Sequence, residues 1–342
     1  MKLIRFSRSD EAPRFGVVVG DHAVAFSTLQ QRSGKCHPEL DDSRAYLAAL
    51  PESESAARAL AEWAAAQVGS WPESDRPRLH DVRLHAPVKV AALFDFGLTP
   101  KHLKNSFDTM MKYEGENPQT GPLLQAFGKM LLAKPPAPPP GVPERLSYYK
   151  CNMNSICGDG ETIPWPLYTS RLDIEPELAV VYGNARQPVA GWCIFNDVSA
   201  RDVQAPEFVG GFCLTKDMAK GNQLGPFLVT ADEVGDPYAL GVEVRVNGEI
   251  KYQGSTAEIS HKAEAVFAWL GVIAPIRPGS VMGLGTIPGC TGLDHDDFID
   301  PGAEIEIAIE RLGSLRCRFA EPARTLLPSR WPVRDALQKY HA

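Results

Sequence analysis

Short apolar segments, separated by glycine and proline turns, fill the second half of this chain and limit it to a strand-rich fold. One of them, VRVNGEIKY, carries Asn247-Gly248 between two alternating stretches, which is a strong β-hairpin signal. Glycine and proline number 29 each among 342 residues, and this excess over average use favours many turns rather than a helical bundle. The helical pattern is sparse and is clearest over residues 261–271.

The first part of the chain has a different pattern. RFGVVVG and HAVAF predict two short strands joined by a turn at Gly20-Asp21, and residues 43–68 have helical spacing interrupted at Pro51. A polar, proline-punctuated stretch then ends near residue 85. We therefore predict an α+β, β-rich chain in three parts: a small N-terminal α+β domain at 1–85, a β-rich second domain at 86–330 and a C-terminal tail at 331–342.

Charge and cysteine content exclude several classes of function. The formal net charge of −7 and the lack of a long basic run argue against a general nucleic-acid or anionic-membrane binder. No stretch approaches the roughly 20 apolar residues of a transmembrane helix, and we expect no signal peptide because the first residues lack a continuous apolar segment. Seven cysteines without CxxC pairs indicate free thiols in a reducing compartment. We expect a cytoplasmic protein that binds neither nucleic acid nor membrane.

Two carboxylates stand out in the otherwise apolar segment RLDIEPELAVVYG. Glu175 and Glu177 are two residues apart, so on a strand their side chains lie on the same face. Like charges on one face repel, and partial burial among apolar neighbours makes unpaired carboxylates costly. A divalent cation that takes oxygen ligands, such as Mg²⁺, Mn²⁺ or Ca²⁺, would relieve both costs. An isolated E-x-E is more often a solvent-facing polar stripe.

Other candidate residues follow strand ends. Asp197 follows the apolar strand GWCIF, and Arg201 and Gln204 lie three apart where a helix is predicted to begin, so that an arginine and an amide can hold a substrate carboxylate. Asp95 lies at a strand end, and His102 lies just inside the helix that Thr-Pro begins. Histidine titrates near working pH and suits acid–base chemistry. Taken singly, these patterns also fit a capped surface helix and a structural or exposed histidine.

Two turns add further polar groups. Lys216 precedes a glycine-bearing turn and would hold a carboxylate or neutralise an enolate beside a metal. Thr286, in MGLGTIPGCTG, supplies a hydroxyl to a turn whose N–H groups can form an anion nest. The alternative interpretations are that Lys216 is a solvent-exposed lysine and that the Thr286 segment is a turn without a binding role. Residues 110–129 have the length and Gly/Pro content of a lid, and residues 134–144 predict a rigid proline loop.

In this order, the segments resemble the fumarylacetoacetate hydrolase family over roughly residues 90–320. The shared order is a strand followed by Asp-x6-His, then D-x-E-x-E-L-A-V-V, N-D-x-S-A-R-D-x-Q, a lysine turn and G-T-x-x-G. The resemblance implies a mixed β-roll catalytic domain of the hydrolase type and a homodimer. It also implies a bound divalent cation, with Mg²⁺ as the first choice and Mn²⁺ or Ca²⁺ as alternatives. It implies four acidic metal ligands: Asp95, Glu175, Glu177 and Asp197.

The resemblance also implies roles for the remaining candidates. His102 falls where hydrolase-type members keep the general base that activates water, and Lys216 joins it as a catalytic residue. Substrate contacts are implied at Tyr149, Arg201, Gln204 and Thr286.

Two family features have no match in this sequence. The glutamate that orients the histidine is absent from CTGLDHDDFIDPG, which leaves Asp294, Asp296 and Asp297 as candidates. An arginine that other members carry in the helix after the histidine is also missing, and Met110, Met111 and Lys112 occupy that stretch.

The implied reaction is hydrolysis of a C–C bond in an acylpyruvate-like or 1,3-diketone substrate, through a metal-stabilised enolate, in aromatic or amino-acid catabolism. His102 would deprotonate water, while Lys216 and the Thr286 turn would offset developing negative charge. The alternative is a decarboxylase, isomerase or hydratase of a 2-oxo acid, which would depend little on His102. A third interpretation is a non-catalytic, β-rich binding protein.

Overall fold

The computed structural model describes residues 1–8, 11–132 and 137–341. Within these ranges the chain forms eighteen β-strands and ten α-helices. The strands are β1 (Lys2–Ser7), β2 (Arg14–Val19), β3 (His22–Ala25), β4 (Arg83–His85), β5 (Ala92–Phe96), β6 (Tyr148–Lys150), β7 (Ile156–Cys157), β8 (Glu161–Ile163), β9 (Leu172–Asp173), β10 (Pro176–Tyr182), β11 (Val189–Asp197), β12 (Ser199–Ala200), β13 (Asn222–Val229), β14 (Gly241–Val246), β15 (Glu249–Ser255), β16 (Ser280–Thr286), β17 (Glu304–Ile309) and β18 (Gly313–Phe319). The helices are α1 (Phe26–Ser33), α2 (Ser43–Ala48), α3 (Glu52–Ala65), α4 (Pro100–Glu114), α5 (Gly121–Leu132), α6 (Cys213–Lys216), α7 (Ala231–Val234), α8 (Ala263–Ile273), α9 (Gly292–His295) and α10 (Asp335–Gln338).

The strands form one large and one smaller sheet. The large sheet has eleven strands, with the path β3-β2-β1-β13-β11-β10-β16-β5-β6 and with β4 and β7 paired to β1 and β13. The smaller sheet has the order β15-β14-β17-β18-β8, and β9 pairs with β12. Most neighbours are antiparallel, but β5 with β16, β7 with β13 and β8 with β18 are parallel. The predicted mixed, β-rich α+β fold is confirmed.

The N-terminal part has the strands and helices that its sequence predicts. A turn at Gly20 joins β2 to β3, and α2 and α3 lie on either side of the predicted interruption at Pro51. Strand β1 pairs with β13, with Lys2 opposite Val229, so these strands continue the large sheet. The domain boundaries near residues 85 and 330 stay predictions.

Several local predictions can be compared with the structure. Asn247 and Gly248 have φ values of 52° and 85°, which suits the tight hairpin turn between β14 and β15. The predicted helix over 261–271 is α8, and α4 begins at Pro100 as its Thr-Pro start predicts. Of the predicted proline loop at 134–144, residues 134–136 lie outside the described ranges, and the remainder has neither helix nor strand. None of the helices in the described ranges combines the length and apolarity needed to cross a membrane.

The structure differs from the sequence prediction at residues 199–204, where a helix is expected to begin. Residues Ser199–Ala200 form strand β12, and Arg201–Val203 form a short 3₁₀ turn. The N–H of Arg201 bonds to the carbonyl of Arg171 at 2.8 Å, which continues the strand pairing. Pro206 follows and has no N–H to donate to an α-helical ladder. Tertiary pairing and proline therefore prevent an α-helix here.

Strand register brings the candidate site to one edge of the large sheet. Strand β10 lies between β11 and β16, with Glu177 opposite Phe195 on one side and Thr286 on the other. Strand β16 runs parallel to β5, with Gly283 beside Asp95. The start of β10 and the ends of β5, β11 and β16 therefore meet at one edge, and the apolar middle of β10 lies in the core.

Candidate active site

Carboxylates from three strands converge at this edge. Asp95 lies in β5, Glu175 directly precedes β10 and Asp197 ends β11, and each offers an oxygen within 4.8 Å of the others. Glu177 lies beside them and accepts hydrogen bonds from the Thr286 hydroxyl at 3.3 Å and from the backbone N–H of Gly285 at 3.2 Å. Burial first, and then the neighbouring carboxylates, raise the pKa of Glu177 well above its usual range. The acidic cluster, as we define it, consists of Asp95, Glu175, Glu177 and Asp197.

Two buried cations contact the acidic cluster. The ammonium of Lys216, in the short helix α6, bonds to Glu175 at 2.6 Å and to Asp197. Burial by itself lowers the pKa of Lys216, but the surrounding carboxylates raise it well above its usual range. The guanidinium of Arg201 is fully buried and bonds to Glu175 at 2.6 Å and to Asp173 at 3.0 Å. Both groups thus hold acidic side chains in place.

The acidic cluster fits a divalent cation. Its four carboxylates face one lysine, one arginine and His102, and that arginine is shared with a fifth carboxylate, Asp173. In the part of the chain that the structure describes, Asp197 Oδ1 is buried without a hydrogen-bond partner. A buried acceptor of this kind is costly unless something binds it. Clustered carboxylate oxygens are the ligands that Mg²⁺, Mn²⁺ and Ca²⁺ prefer.

His102 lies in the first turn of α4 and is held between two acids. Its Nδ1 is 2.8 Å from Asp294 Oδ1, and its Nε2 is 3.7 Å from Glu175 Oε1. The Ser106 hydroxyl, one turn further along α4, is 3.2 Å from Nε2. Burial alone lowers the pKa of His102, but its bonds to Asp294 and Glu175 raise it to about 9. The ring therefore has one nitrogen fixed by a carboxylate and the other directed at the acidic cluster.

The acid that orients His102 is Asp294. Its other oxygen accepts the backbone N–H of Gly289 at 2.5 Å, and its side chain is buried. The two other candidates point elsewhere, because Asp296 bonds to the Tyr113 hydroxyl at 2.7 Å and Asp297 pairs with Lys251 at 2.6 Å. Of the three candidate aspartates, Asp294 is thus the one that contacts His102.

Asp173 is a site residue that the sequence reasoning missed. It is fully buried and accepts the N–H groups of Gly292 and Leu293, at the start of α9, at 2.8 and 3.0 Å. It also binds Arg201, so it connects that guanidinium to the helix that carries Asp294. A signal was present, because Asp173 is the first acid of the D-x-E-x-E motif and shares its alternation.

A cavity of about 400 Å³ lies beside the acidic cluster. Eight of the ten predicted site residues line it: Asp95, His102, Tyr149, Glu175, Arg201, Gln204, Lys216 and Thr286. Glu177 and Asp197 are fully buried beneath its wall. Arg201 and Gln204 bond to each other at 3.3 Å, and the Tyr149 hydroxyl donates to the carbonyl of Phe212 at 3.2 Å. The structure therefore brings all ten residues together, while their individual roles stay predictions.

Fold and site place the protein in a class of β-rich proteins with a buried acidic cluster beside a cavity. The family model described as fumarylacetoacetate (FAA) hydrolase C-terminal matches residues 125–320. Because this match covers more than half of the chain, the protein belongs to that family. Asp95 and His102 lie before the matched residues.

Curated relatives share part of the chain. An uncharacterized protein of Staphylococcus aureus (strain USA300) is 29% identical over 189 residues, which cover 52% of this chain and 62% of that protein. An uncharacterized protein of strain NCTC 8325 matches with the same values. The chain thus spans about six-tenths of the length of these relatives.

Solved structures with the same fold cover nearly the whole chain. A putative HpcE protein from Mycobacterium smegmatis has 24% identity and a TM-score of 0.65, covering 94% of this chain and 99% of that one. Maleylpyruvate hydrolase from Sphingobium sp. SYK-6, in complex with manganese (II) ion and pyruvate, has 19% identity and a TM-score of 0.63, covering 94% and 100%. The 2-hydroxyhepta-2,4-diene-1,7-dioate isomerase from Mycobacterium marinum has 21% identity and a TM-score of 0.60, covering 95% and 100%. These likenesses show a shared fold.

Proposed function

We propose that this protein is a divalent-metal-dependent hydrolase that cleaves a C–C bond in an acylpyruvate-like or 1,3-diketone substrate. The observation that carries the proposal is the position of His102. Its Nδ1 is fixed by Asp294 at 2.8 Å, while its Nε2 faces Glu175 at 3.7 Å across the edge of the cavity. A histidine oriented by a carboxylate and directed at a reaction centre is suited to act as a general base once its ring is neutral. A divalent cation on the acidic cluster would offset the carboxylate charge that raises the pKa of His102 and would leave Nε2 free to take a proton.

The metal ligands we propose are the acidic cluster, with Asp95, Glu175 and Asp197 as the closest set. We propose Mg²⁺ as the cation, and Mn²⁺ fits the same oxygen donors. When bound, the cation would act as a Lewis acid toward the substrate's oxygens. The manganese and pyruvate complex of the Sphingobium hydrolase, which shares the fold, supports a divalent cation and a 2-oxo acid ligand at this site.

The residues of the chain account for the remaining chemistry. His102 Nε2 takes a proton from water, and the water oxygen attacks the acyl carbonyl of the substrate. The bond between the acyl carbon and the neighbouring methylene breaks, and its electron pair leaves with the pyruvate fragment as an enolate. The proton that His102 took from water then passes to the enolate carbon, which gives pyruvate and restores the neutral ring. The positive charges of Lys216 and Arg201 offset negative charge that develops on the substrate oxygens. Arg201 Nη2 has no partner within the described ranges, so a donor remains for the substrate carboxylate.

Turnover of acylpyruvates tests this proposal. We expect hydrolysis to need Mg²⁺ or Mn²⁺ and to fall by about 100-fold or more in His102→Ala, which is the usual range for the loss of a general base. His80→Ala, which removes an exposed histidine in the N-terminal part, is the matched control and should keep full activity. Full activity in His102→Ala would contradict the proposed base.

A second candidate is an isomerase or decarboxylase of a 2-oxo acid on the same site. It is favoured by the isomerases that share this fold, among them the Mycobacterium marinum protein with its TM-score of 0.60. It predicts metal-dependent activity that survives in His102→Ala, because no water is activated. That the enzyme is a homodimer of aromatic or amino-acid catabolism stays a prediction from the resemblance, and that it is cytoplasmic stays a prediction from its cysteine content.

A further inference from the structure

The cavity has two chemically different ends. The end beside the acidic cluster carries the charged groups, among them His102, Arg201 and Lys216. The other end is formed by α4, α5 and the residues after Gln204, and its side chains are apolar: Leu103, Phe107, Met110, Leu124, Phe127 and Phe208. Met110 lies eight residues after His102 on α4, which is about 12 Å along the helix axis. The part of the apolar lining around Met110 is therefore far enough from His102 to hold a different part of the substrate, whereas Leu103 lies directly beside His102 in the sequence.

Aromatic rings form a continuous wall along this cavity. Phe127 of α5 stacks on Phe208 with ring centres 4.5 Å apart and an interplanar angle of 27°. Phe208 meets Phe212 edge to face at 5.7 Å, and Phe212 meets Tyr149 of β6 at 5.8 Å. The three phenylalanines are only partly buried and line the cavity, so part of each ring remains open to a ligand. Rings that pack on one another in this way present a fixed apolar surface.

Charged side chains on and beside α4 are directed away from the apolar end. Lys112 is 63% exposed and pairs with Asp296. Arg330 is bonded to the buried Glu114 at 2.9 Å and is not among the residues that line the cavity, so its guanidinium is already paired with a carboxylate of the protein. Of the described residues that line the apolar end, none carries a charge. A carboxylate placed there would lose its water without gaining an ion pair, which is strongly unfavourable.

We propose that this aromatic, uncharged end selects substrates whose acyl group is a hydrocarbon, and rejects those that end in a second carboxylate. The inference rests on the proposed function, because it names the substrate class of the same site. It assigns Met110, Phe127 and Phe208 as residues that determine specificity. Their side chains would remove the acyl group from water, while Arg201 and Lys216 hold the pyruvate end.

Two acylpyruvates of matched shape test the inference. In 4-methylpentanoylpyruvate the acyl chain ends in an isopropyl group, and in succinylpyruvate the same chain ends in a carboxylate. Binding of each to Mn²⁺-loaded His102→Ala protein, measured by isothermal titration calorimetry, reports affinity without depending on hydrolysis. We expect the hydrocarbon-ended compound to bind about 100-fold more tightly, given the cost of an unpaired buried charge. Equal or tighter binding of succinylpyruvate, or no binding of either, would overturn the inference.

The wild-type protein separates this inference from the proposed function. If 4-methylpentanoylpyruvate binds more tightly but is not hydrolysed, the hydrolase proposal is wrong and the apolar selection stands. If both compounds are hydrolysed with equal kcat/KM, the hydrolase proposal stands and the apolar selection is wrong.

Substitutions that add a cation test the same wall from the protein side. Met110→Arg places a guanidinium at the apolar end, at a buried position. Leu103→Arg adds one to the cavity lining between His102 and Met110 on α4, at a position that is only partly buried. We expect each variant that keeps a cooperative thermal transition to gain at least about tenfold in affinity for succinylpyruvate, the effect of one new charge-assisted ion pair with its terminal carboxylate. Met111→Arg, one residue further along and not part of the cavity lining, is the matched control and should keep the wild-type preference. Folded Leu103→Arg and Met110→Arg proteins with unchanged preference would contradict the proposal.

Discussion

Replacing Asp294 with asparagine tests the contact that positions the proposed base. The variant keeps the shape of the side chain but removes the charge that accepts the 2.8 Å hydrogen bond from His102 Nδ1. A hydrogen bond to a charged group is worth about 1.5–3 kcal/mol, and about 1.4 kcal/mol corresponds to a tenfold change in rate. If the whole loss falls on the transition state, kcat decreases about 10- to 150-fold. Because Asp294 does not line the cavity, KM should change little.

The assay measures kcat and KM for acylpyruvate hydrolysis at saturating Mg²⁺, with Mn²⁺ binding measured in parallel. Asp296→Asn is the matched control, since that acid lies two residues away and bonds to Tyr113 instead of the histidine. The control should keep its kcat, and both variants should keep their affinity for Mn²⁺. An unchanged kcat in Asp294→Asn, or an equal loss in both variants, would refute the positioning role.

Two further predictions concern metal affinity and stability. In Gly283→Ala the new Cβ would lie 2.1 Å from Glu177 Oε2 and would displace that carboxylate. The affinity for Mn²⁺ should therefore fall at least about tenfold. The control is Gly271→Ala, which has open space around its Cβ and should bind Mn²⁺ with the wild-type affinity. Burial raises the pKa of Glu114, but hydrogen bonds from Arg330, Thr120 and Trp331 lower the pKa overall. The ionised Glu114 therefore stabilises the folded protein at pH values above its unfolded pKa of about 4.3. This stabilisation is lost as the pH falls through the folded pKa. The Tm of Glu114→Gln should therefore lie below that of the wild type at pH 7 and approach it near pH 3; a constant difference would contradict this linkage.

Local patterns were sufficient to predict much of the fold. Asn247-Gly248 predicted a hairpin because few residues other than glycine and asparagine accept positive φ at both turn positions. Glu175 and Glu177 were recognised as candidates because alternation on a strand places both on one face, whatever the strand later packs against. Features of this kind depend only on near neighbours in the sequence, so sequence reasoning reaches them.

Contacts between distant segments could not be derived in the same way. His102 and Asp294 are 192 residues apart in the sequence, and three aspartates within four positions had equal claims until the short helix α9 directed only one of them inward. The aromatic wall joins Phe127, Phe208 and Tyr149, which lie on separate elements with no shared motif. Such arrangements are set by packing between elements, which no local periodicity encodes.

The central claim is that the site hydrolyses a C–C bond with water activated by His102. Turnover of an acylpyruvate in H₂¹⁸O, with the products analysed by mass spectrometry, tests it most directly. The account predicts metal-dependent release of the acyl group as a carboxylic acid that carries one ¹⁸O from water, and a loss of this product in His102→Ala. Metal-dependent consumption of the substrate that yields an isomer or a decarboxylated product, with no labelled acid, would contradict it.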